Sequence, residues 1–325
     1  MRIISNRSPL FSGGGYHYGS VWPLFTGWAS VGEYRYHQAH PAYANLRANA
    51  LLALDGSLGH VTEVLSGNYY QPLSTSSPHQ IWSAAMVVSP LLRGMFGLSA
   101  DANARTLKFE PHVADDWPWF SISNLRLGRN ALSLRYQKEM LVVDSTFPGG
   151  IALEVVRTSG NEECILEFRP AISMRTKVQK VDLNLKPVPY RIESNGADQH
   201  VVVRFPIKAE KNVLHIWITN DFDIAADSAL PPLGGASRGL RILSQTWSPS
   251  RDKLTLEVSG AAGGEYRLRM GYLNEKMQSV EGANFDLGHQ DWAIRIPASD
   301  SEPYPHAKVV IHFSMRQKKG KPTKH

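Results

Sequence analysis

The chain has 325 residues and a net charge of +6; 42% of its residues are hydrophobic and 20% are charged. This composition is typical of a globular protein, and at roughly 150 residues per domain it indicates two or three domains. No apolar run approaches the about 20 residues of a membrane-spanning helix, and the single Cys164 excludes an internal disulfide and a thiolate-rich metal site.

The positive charge is concentrated in the last ten residues, and the chain that precedes them is nearly neutral. We predict that residues 316–325 form a solvated, disordered basic tail, with docking to an anionic partner as the alternative. We expect no nucleic-acid partner and no membrane partner. The N-terminal sequence lacks an apolar core of signal-peptide length, but a chain that begins partway through a longer protein would not show one, so cytoplasm and periplasm both stay open.

The sequence of residues 1–100 predicts three helices. The first, in Val21–Gln38, has apolar residues at 3–4 spacing and Pro23 in its first turn. The second begins at Pro41 and ends at Gly56, which readily adopts a left-handed C-terminal cap. The third follows Ser77, a predicted cap. Their faces are mostly small or apolar, so each must be buried against further elements.

From about residue 106 the hydrophobic period changes to two. Apolar residues then alternate with polar ones in many short segments about 10 residues apart, which predicts antiparallel β-sandwiches. Examples are Leu132, Leu134 and Tyr136; Val201, Val203 and Phe205; and Val213, His215 and Trp217.

The sequence therefore predicts an α+β fold. Helices occupy residues 1–100, a β-sandwich 101–223 and a second sandwich-like region 240–315, before the basic tail. The segment 224–239 is rich in Pro, Gly, Ser and Ala without periodicity, so we predict a linker there.

Few acidic residues lie in the helical part. Glu33 fits a surface ion pair on a helix, and Asp55 fits a helix end. Glu63 differs because it lies in a connection between helices, where functional sites are often built. By residue type alone it is either a solvated loop glutamate or one half of a catalytic pair, since glycosidic hydrolysis needs two carboxyl groups.

Aromatic residues crowd into the same part of the chain and can stack against sugar rings, although helical cores use them too. We select as candidate substrate-binding residues Trp22, Tyr70, His79 and Trp82. His37 and His40 are interpreted as surface or turn residues, so we expect neither a metal site nor another cofactor.

Three segments resemble the C-terminal end of the six-hairpin glycosidases: GSVWPLFTGW (Gly19–Trp28), EVLSGNYYQPLSTSSPHQIWSAAMVVSPLLRGMFGL (Glu63–Leu98) and LKFEPHVADDWPWFSISNLRLG (Leu107–Gly128). More narrowly, they are similar to glycogen-debranching or amylo-α-1,6-glucosidase-like proteins, which are related to the processing α-glucosidase I and glucoamylase groups. The resemblance covers about residues 3–136.

This resemblance implies that residues 1–100 are the C-terminal helices of an (α/α)6 toroid and that hydrolysis proceeds with inversion. In the family, the general base is a glutamate followed after a variable gap by a W-S/T-x-A helix start. Glu63 followed by Trp82-Ser83-Ala84-Ala85 matches this pattern. The resemblance thus implies that Glu63 is the catalytic base on an oligosaccharide or glucoside substrate.

One part of the family pattern is missing. The family's general acid lies upstream of the segment that matches GSVWP, and neither Glu33 nor Asp55 matches its motif. We therefore expect the C-terminal part of an inverting glycoside hydrolase, inactive alone, with an apolar face where the N-terminal toroid portion would pack. A non-catalytic carbohydrate-binding or structural module is the alternative. A toroid phosphorylase is disfavoured, because that family keeps its acid and replaces the base.

Overall fold

The computed structural model describes residues 1–114, 116–140, 149–226, 229–273, 277–289 and 291–314. Strands account for 41% of it and helices for 14%. The α-helices in these ranges are α1 (Pro23–Arg35), α2 (Ala39–Leu52) and α3 (Ile81–Ser89), and α3 continues into a π-helical segment, Pro90–Met95. None of the described helices is both long and apolar enough to span a membrane.

The first β unit contains two six-stranded sheets. Its strands are β1 (Ser99–Asp101), β2 (Thr106–Phe109), β3 (Trp119–Leu127), β4 (Asn130–Met140), β5 (Gly149–Ser159), β6 (Ile165–Phe168), β7 (Ala171–Ile172), β8 (Val178–Leu183), β9 (Lys186–Pro187), β10 (Arg191–Ser194), β11 (Gln199–Pro206) and β12 (Lys211–Ile218). One sheet has the order β1-β2-β6-β11-β10, with β7 also paired to β11, and the other β3-β4-β5-β12-β8-β9. The strand pairs are antiparallel except for β2 and β6, which run parallel.

The second β unit contains two four-stranded sheets. Its strands are β13 (Asp221–Ala226), β14 (Arg241–Trp247), β15 (Lys253–Ser259), β16 (Glu265–Leu273), β17 (Met277–Glu281), β18 (Asn284–Asp286), β19 (Asp291–Arg295) and β20 (His306–Phe313). The sheets have the orders β13-β16-β19-β18 and β14-β15-β20-β17. Each β unit buries its own apolar cluster between its two sheets, so both are sandwiches.

The predicted fold class is wrong in its helical part. We expected the C-terminal helices of an (α/α)6 toroid, but the chain is mostly β and the helices are 13, 14 and 9 residues long. The helices contact one another, and Tyr34 of α1, Leu46 of α2 and Met95 of the π-helical segment belong to the same buried cluster as Phe109 and Phe168 of the first sandwich. The apolar sides of α1, α2 and the π-helical segment therefore share the core of this sandwich.

The three predicted helices are present, and two of them have shifted starts. α1 begins at Pro23 as expected, while α2 begins at Ala39, before Pro41. α3 begins only at Ile81, and its cap is Gln80, whose side-chain oxygen accepts a hydrogen bond from the Ile81 N–H at 3.1 Å.

The boundary between the β units lies earlier than the sequence indicated. Strand β13 pairs along its whole length with β16, so the second unit includes Asp221–Ala226. The predicted linker, 224–239, thus starts inside a strand, and the predicted sandwich of residues 101–223 includes the start of that strand. The predicted basic tail lies outside the described residues.

The helical part also contacts the second sandwich. Arg241 on β14 donates to the Asn45 side-chain oxygen at 3.1 Å, and the Asn45 amide donates to both oxygens of Glu33 at 2.9 and 3.1 Å. Burial raises the pKa of Glu33 and lowers that of Arg241. Glu33 therefore belongs to a polar relay between α1, α2 and β14, and not to the surface ion pair that its sequence position suggested.

The second sandwich should depend on Leu256, which is fully buried on β15. Leu256→Ala should lower the free energy of unfolding by about 2–5 kcal/mol, because it leaves a cavity between the sheets. Urea unfolding followed by circular dichroism measures the loss. The matched control Leu233→Ala, at a side chain that is 73% exposed, should change stability by less than about 0.5 kcal/mol. Equal losses for the two variants would contradict this packing.

Candidate active site

Glu63 lies in an irregular segment that is fixed on both sides. Its neighbours Val61, Val64 and Leu65 are buried, and Leu65 forms a short antiparallel bridge with Val21, just before α1. The Glu63 N–H donates to the Ser77 carbonyl at 2.9 Å. The loop that carries the carboxylate is therefore anchored to the start of α1 and to the segment that leads into α3.

The Glu63 side chain is only 8% exposed, and its carboxylate accepts two hydrogen bonds. The Tyr16 hydroxyl donates to Oε1 at 2.6 Å, and the Ser77 N–H donates to Oε2 at 3.2 Å. A buried carboxylate is costly unless it is hydrogen-bonded, so these donors stabilise it and fix its orientation. The hydrogen bond to Glu63 also raises the pKa of Tyr16.

Glycine allows the two loops of this site to approach each other. The Gly67 N–H donates to the Gly13 carbonyl at 2.7 Å, and a Cβ at position 67 would come within 2.1 Å of the Gly19 carbonyl oxygen. A larger residue at position 67 would push the Tyr16 loop away from the Glu63 loop. The hydrogen bond between Tyr16 and Glu63 depends on this contact.

Trp22 is buried against Tyr16, and only 7% of the residue is exposed. Its ring meets the Tyr16 ring edge-on, with 4.7 Å between the ring centroids. Its indole N–H donates to the Tyr16 carbonyl at 3.1 Å and to the Ser20 hydroxyl at 2.9 Å. This packing positions Tyr16. It leaves little of the Trp22 ring accessible to a sugar.

His79 and Trp82 lie on the chain that follows Glu63. The His79 ring is exposed and stacks on that of His60 with 4.0 Å between ring centroids, and the Ser77 hydroxyl donates to the His79 carbonyl. Trp82 is 39% exposed in the first turn of α3. Both side chains are accessible, and both follow directly from the segment that holds the carboxylate.

Tyr70 lines a cavity of about 390 Å³ between the helical part and the second sandwich, and Glu63 is not among the residues that line it. Its hydroxyl donates to Asp55, and its backbone is hydrogen-bonded to Gly234 and Gly235. Burial, followed by the contact with Asp55, raises the pKa of Tyr70. The structure therefore does not bring Tyr70 into the surroundings of Glu63.

The helices expose several large apolar side chains. Trp28 on α1 is 55% exposed, and Ile81 and Val88 on α3 are 77% and 54% exposed. The exposed side of α3 is thus apolar, while its other side packs against α1 and α2.

The structure also brings together a second group of candidate functional side chains that the sequence did not indicate. His37, His112, Asp198 and His200 bring one ligand atom each to within 4.8 Å of one another. For His37, the sequence indicated a surface or turn position and no metal site. The cluster could not be found by motif spacing, because its members come from three segments that are distant in sequence. The Asp-x-His pair at 198 and 200 was the only local signal.

No family model and no curated protein matches this chain. Among solved structures, it is similar to the crystal structure of a GH127 β-L-arabinofuranosidase from Geobacillus stearothermophilus T6, with 12% identity and a TM-score of 0.31. The match covers 88% of this chain and 46% of that enzyme. Because the chain spans less than half of that enzyme and the TM-score is low, the enzyme's activity is not transferred to it.

Removing the Tyr16 hydroxyl should destabilise the site. Tyr16→Phe takes away one of the donors to a buried carboxylate, so we expect a loss of about 1–3 kcal/mol in the free energy of unfolding, measured by urea denaturation. Tyr18→Phe is the matched control, because Tyr18 is 55% exposed, and it should leave the midpoint unchanged. Identical midpoints for both variants would contradict a supporting role of Tyr16.

Proposed function

We propose that this chain supplies the general base of an inverting glycoside hydrolase that acts on an α-glucosidic or similar linkage, with Glu63 as that base. The observation that supports the proposal is the pair of donors on the Glu63 carboxylate, from Tyr16 at 2.6 Å and from Ser77 at 3.2 Å. They hold a single carboxylate in one orientation, in the segment whose sequence resembles that of six-hairpin glycosidases.

In an inverting reaction the base removes a proton from a water molecule that attacks the sugar opposite to the leaving group. Such a base must be ionised and correctly aimed. Each Glu63 oxygen accepts one hydrogen bond and keeps a lone pair that can accept the proton of the attacking water. His79 and Trp82 are accessible next to this segment and are our candidates for sugar contacts.

The reaction also needs a proton donor, about 6.5–9.5 Å from the base. The other acidic residues before β1 are engaged elsewhere, because Glu33 accepts from Asn45 and Asp55 accepts from Tyr70. We propose that a partner segment carries the acid and covers the exposed apolar side chains Trp28, Ile81 and Val88. Burying these apolar side chains would stabilise the complex of the chain with its partner segment.

The direct test compares Glu63→Gln with wild type in the complex of this chain with the product of its upstream reading frame or neighbouring gene. With maltooligosaccharides as substrate, kcat should fall by about 10²–10⁴ while KM changes little, because glutamine keeps the shape but accepts no proton. NMR of the wild-type product should show an inverted anomeric centre. The chain alone should show no turnover.

Glu265→Gln is the control, because Glu265 is exposed on the second sandwich, and it should retain full activity. If Glu63→Gln keeps more than about a tenth of the wild-type activity, Glu63 is not the base.

A non-catalytic carbohydrate-binding module is the second candidate function. The cavity of about 390 Å³ favours it, because Tyr69, Tyr70 and Tyr304 line it with aromatic rings that carry polar groups. In this case maltooligosaccharide binding, measured by calorimetry on the chain alone, should be lost in Tyr70→Ala and unchanged in Glu63→Gln.

A further inference from the structure

Three separate parts of the fold converge at one buried cluster. His37 directly follows the cap of α1, His112 follows β2, and Asp198 and His200 lie at the start of β11. His112, Asp198 and His200 are buried, while the His37 side chain is 28% exposed. The site therefore has one accessible edge and otherwise lies inside the protein.

Five contacts within the cluster are close to the edge length of a coordination tetrahedron, and the four ligand atoms all lie within 4.8 Å of one another. His37 Nδ1 lies 3.2 Å from His112 Nε2 and 3.4 Å from His200 Nε2. Asp198 Oδ1 lies 3.3 Å from both His37 Nδ1 and His200 Nε2, and its Oδ2 lies 3.4 Å from His112 Nε2. Around a tetrahedral zinc ion with bonds of about 2.0–2.1 Å, neighbouring ligand atoms are about 3.3–3.4 Å apart.

Hydrogen bonds on the outside of the cluster orient two of the imidazoles. His200 Nδ1 lies 2.8 Å from the Arg169 carbonyl oxygen, and His112 Nδ1 lies 3.2 Å from the Glu110 carbonyl oxygen. Carbonyl oxygens only accept, so both Nδ1 atoms carry the proton. The Nε2 lone pairs of His112 and His200 then point into the cluster, as in metal-bound histidines.

The interior of the cluster has more acceptors than donors. Two Nε2 lone pairs and the Asp198 carboxylate face one another, and a neutral His37 offers at most one N–H at Nδ1. Buried acceptors at such separations repel unless a metal ion or a shared proton lies between them.

Two further features concern the Asp198 carboxylate and the backbone at His37. The Asn195 amide donates to Asp198 Oδ1 at 2.5 Å, and the Asp198 N–H donates to the Asn195 side-chain oxygen at 3.1 Å. His37 adopts a left-handed backbone with φ of 59°. This conformation is uncommon for residues other than glycine and directs its ring into the cluster.

We propose that His37, His112, Asp198 and His200 bind a divalent transition-metal ion, with zinc as the best fit, in a closed structural site. Three imidazoles and one carboxylate form a tetrahedral ligand set suited to zinc, and four protein ligands leave no open position for substrate. The ion cross-links the end of α1 to the first sandwich. It stabilises the folded state, because the unfolded chain does not bring these residues together.

The test uses the full chain, stripped of metal by a chelator and then titrated with Zn²⁺ in competition with a chromophoric chelator. Wild type should bind one ion per chain, and its thermal midpoint should rise with Zn²⁺. His112→Ala and Asp198→Asn should each weaken binding by at least about a hundredfold and abolish the thermal shift. Co²⁺ in place of Zn²⁺ should give the visible absorption of a tetrahedral complex in wild type only.

Two further variants make the result decisive. His306→Ala removes an exposed histidine of the second sandwich and should bind Zn²⁺ as wild type does. His37→Ala changes the most accessible ligand, so it tests the site even if a buried variant does not fold. The proposal is overturned if wild type binds no Zn²⁺, or if His37→Ala and His112→Ala bind it as tightly as His306→Ala.

Discussion

The repulsion between buried lone pairs at His112, His200 and Asp198 is the constraint on which the proposed metal site depends. These groups lie 3.2–3.4 Å from His37 Nδ1 or from each other, at the junction of α1, β2 and β11. A cation between them turns the repulsion into a cross-link among three distant segments. In our proposal this cross-link adds to the apolar contact of Tyr34 in joining the end of α1 to the first sandwich.

Helix α1 connects this cluster to the proposed catalytic carboxylate. It begins after Trp22, which supports Tyr16, and its C-terminal turn leads directly to His37. With 13 residues it spans about 20 Å. Fixing one end of α1 therefore fixes the other, where the Tyr16 hydroxyl must stay 2.6 Å from Glu63. A structural ion far from Glu63 would in this way contribute to the orientation of the base.

The period-two pattern predicted the β architecture well, since Leu132, Leu134 and Val203 all lie buried on strands. In β12 the pattern predicted the strand but the wrong buried face. Leu214, Ile216 and Ile218 are buried, whereas Val213, His215 and Trp217, on the face that the pattern selected, are only partly buried. Helix patterns gave the existence of α1–α3. They did not show that α1 and α2 share the core of the first sandwich, since an apolar face does not specify its partner.

The site was only partly predictable. The sequence drew attention to Glu63 through its position between helices, but the donors from Tyr16 and Ser77 depend on loop contacts that no local pattern encodes. The histidine cluster was missed because its segments are 75 and 86 residues apart along the chain, counted from His37 to His112 and from His112 to Asp198. Metal sites built by tertiary structure lack the short spacings by which motifs are recognised.

Anomalous diffraction at the zinc absorption edge, from crystals of the full chain, tests the central claim most directly. The account predicts one peak about 2.0–2.1 Å from His37 Nδ1, His112 Nε2 and His200 Nε2 and about 2.0–2.2 Å from one Asp198 oxygen. A cluster without anomalous signal, in which protons alone join the imidazoles to Asp198, would contradict it.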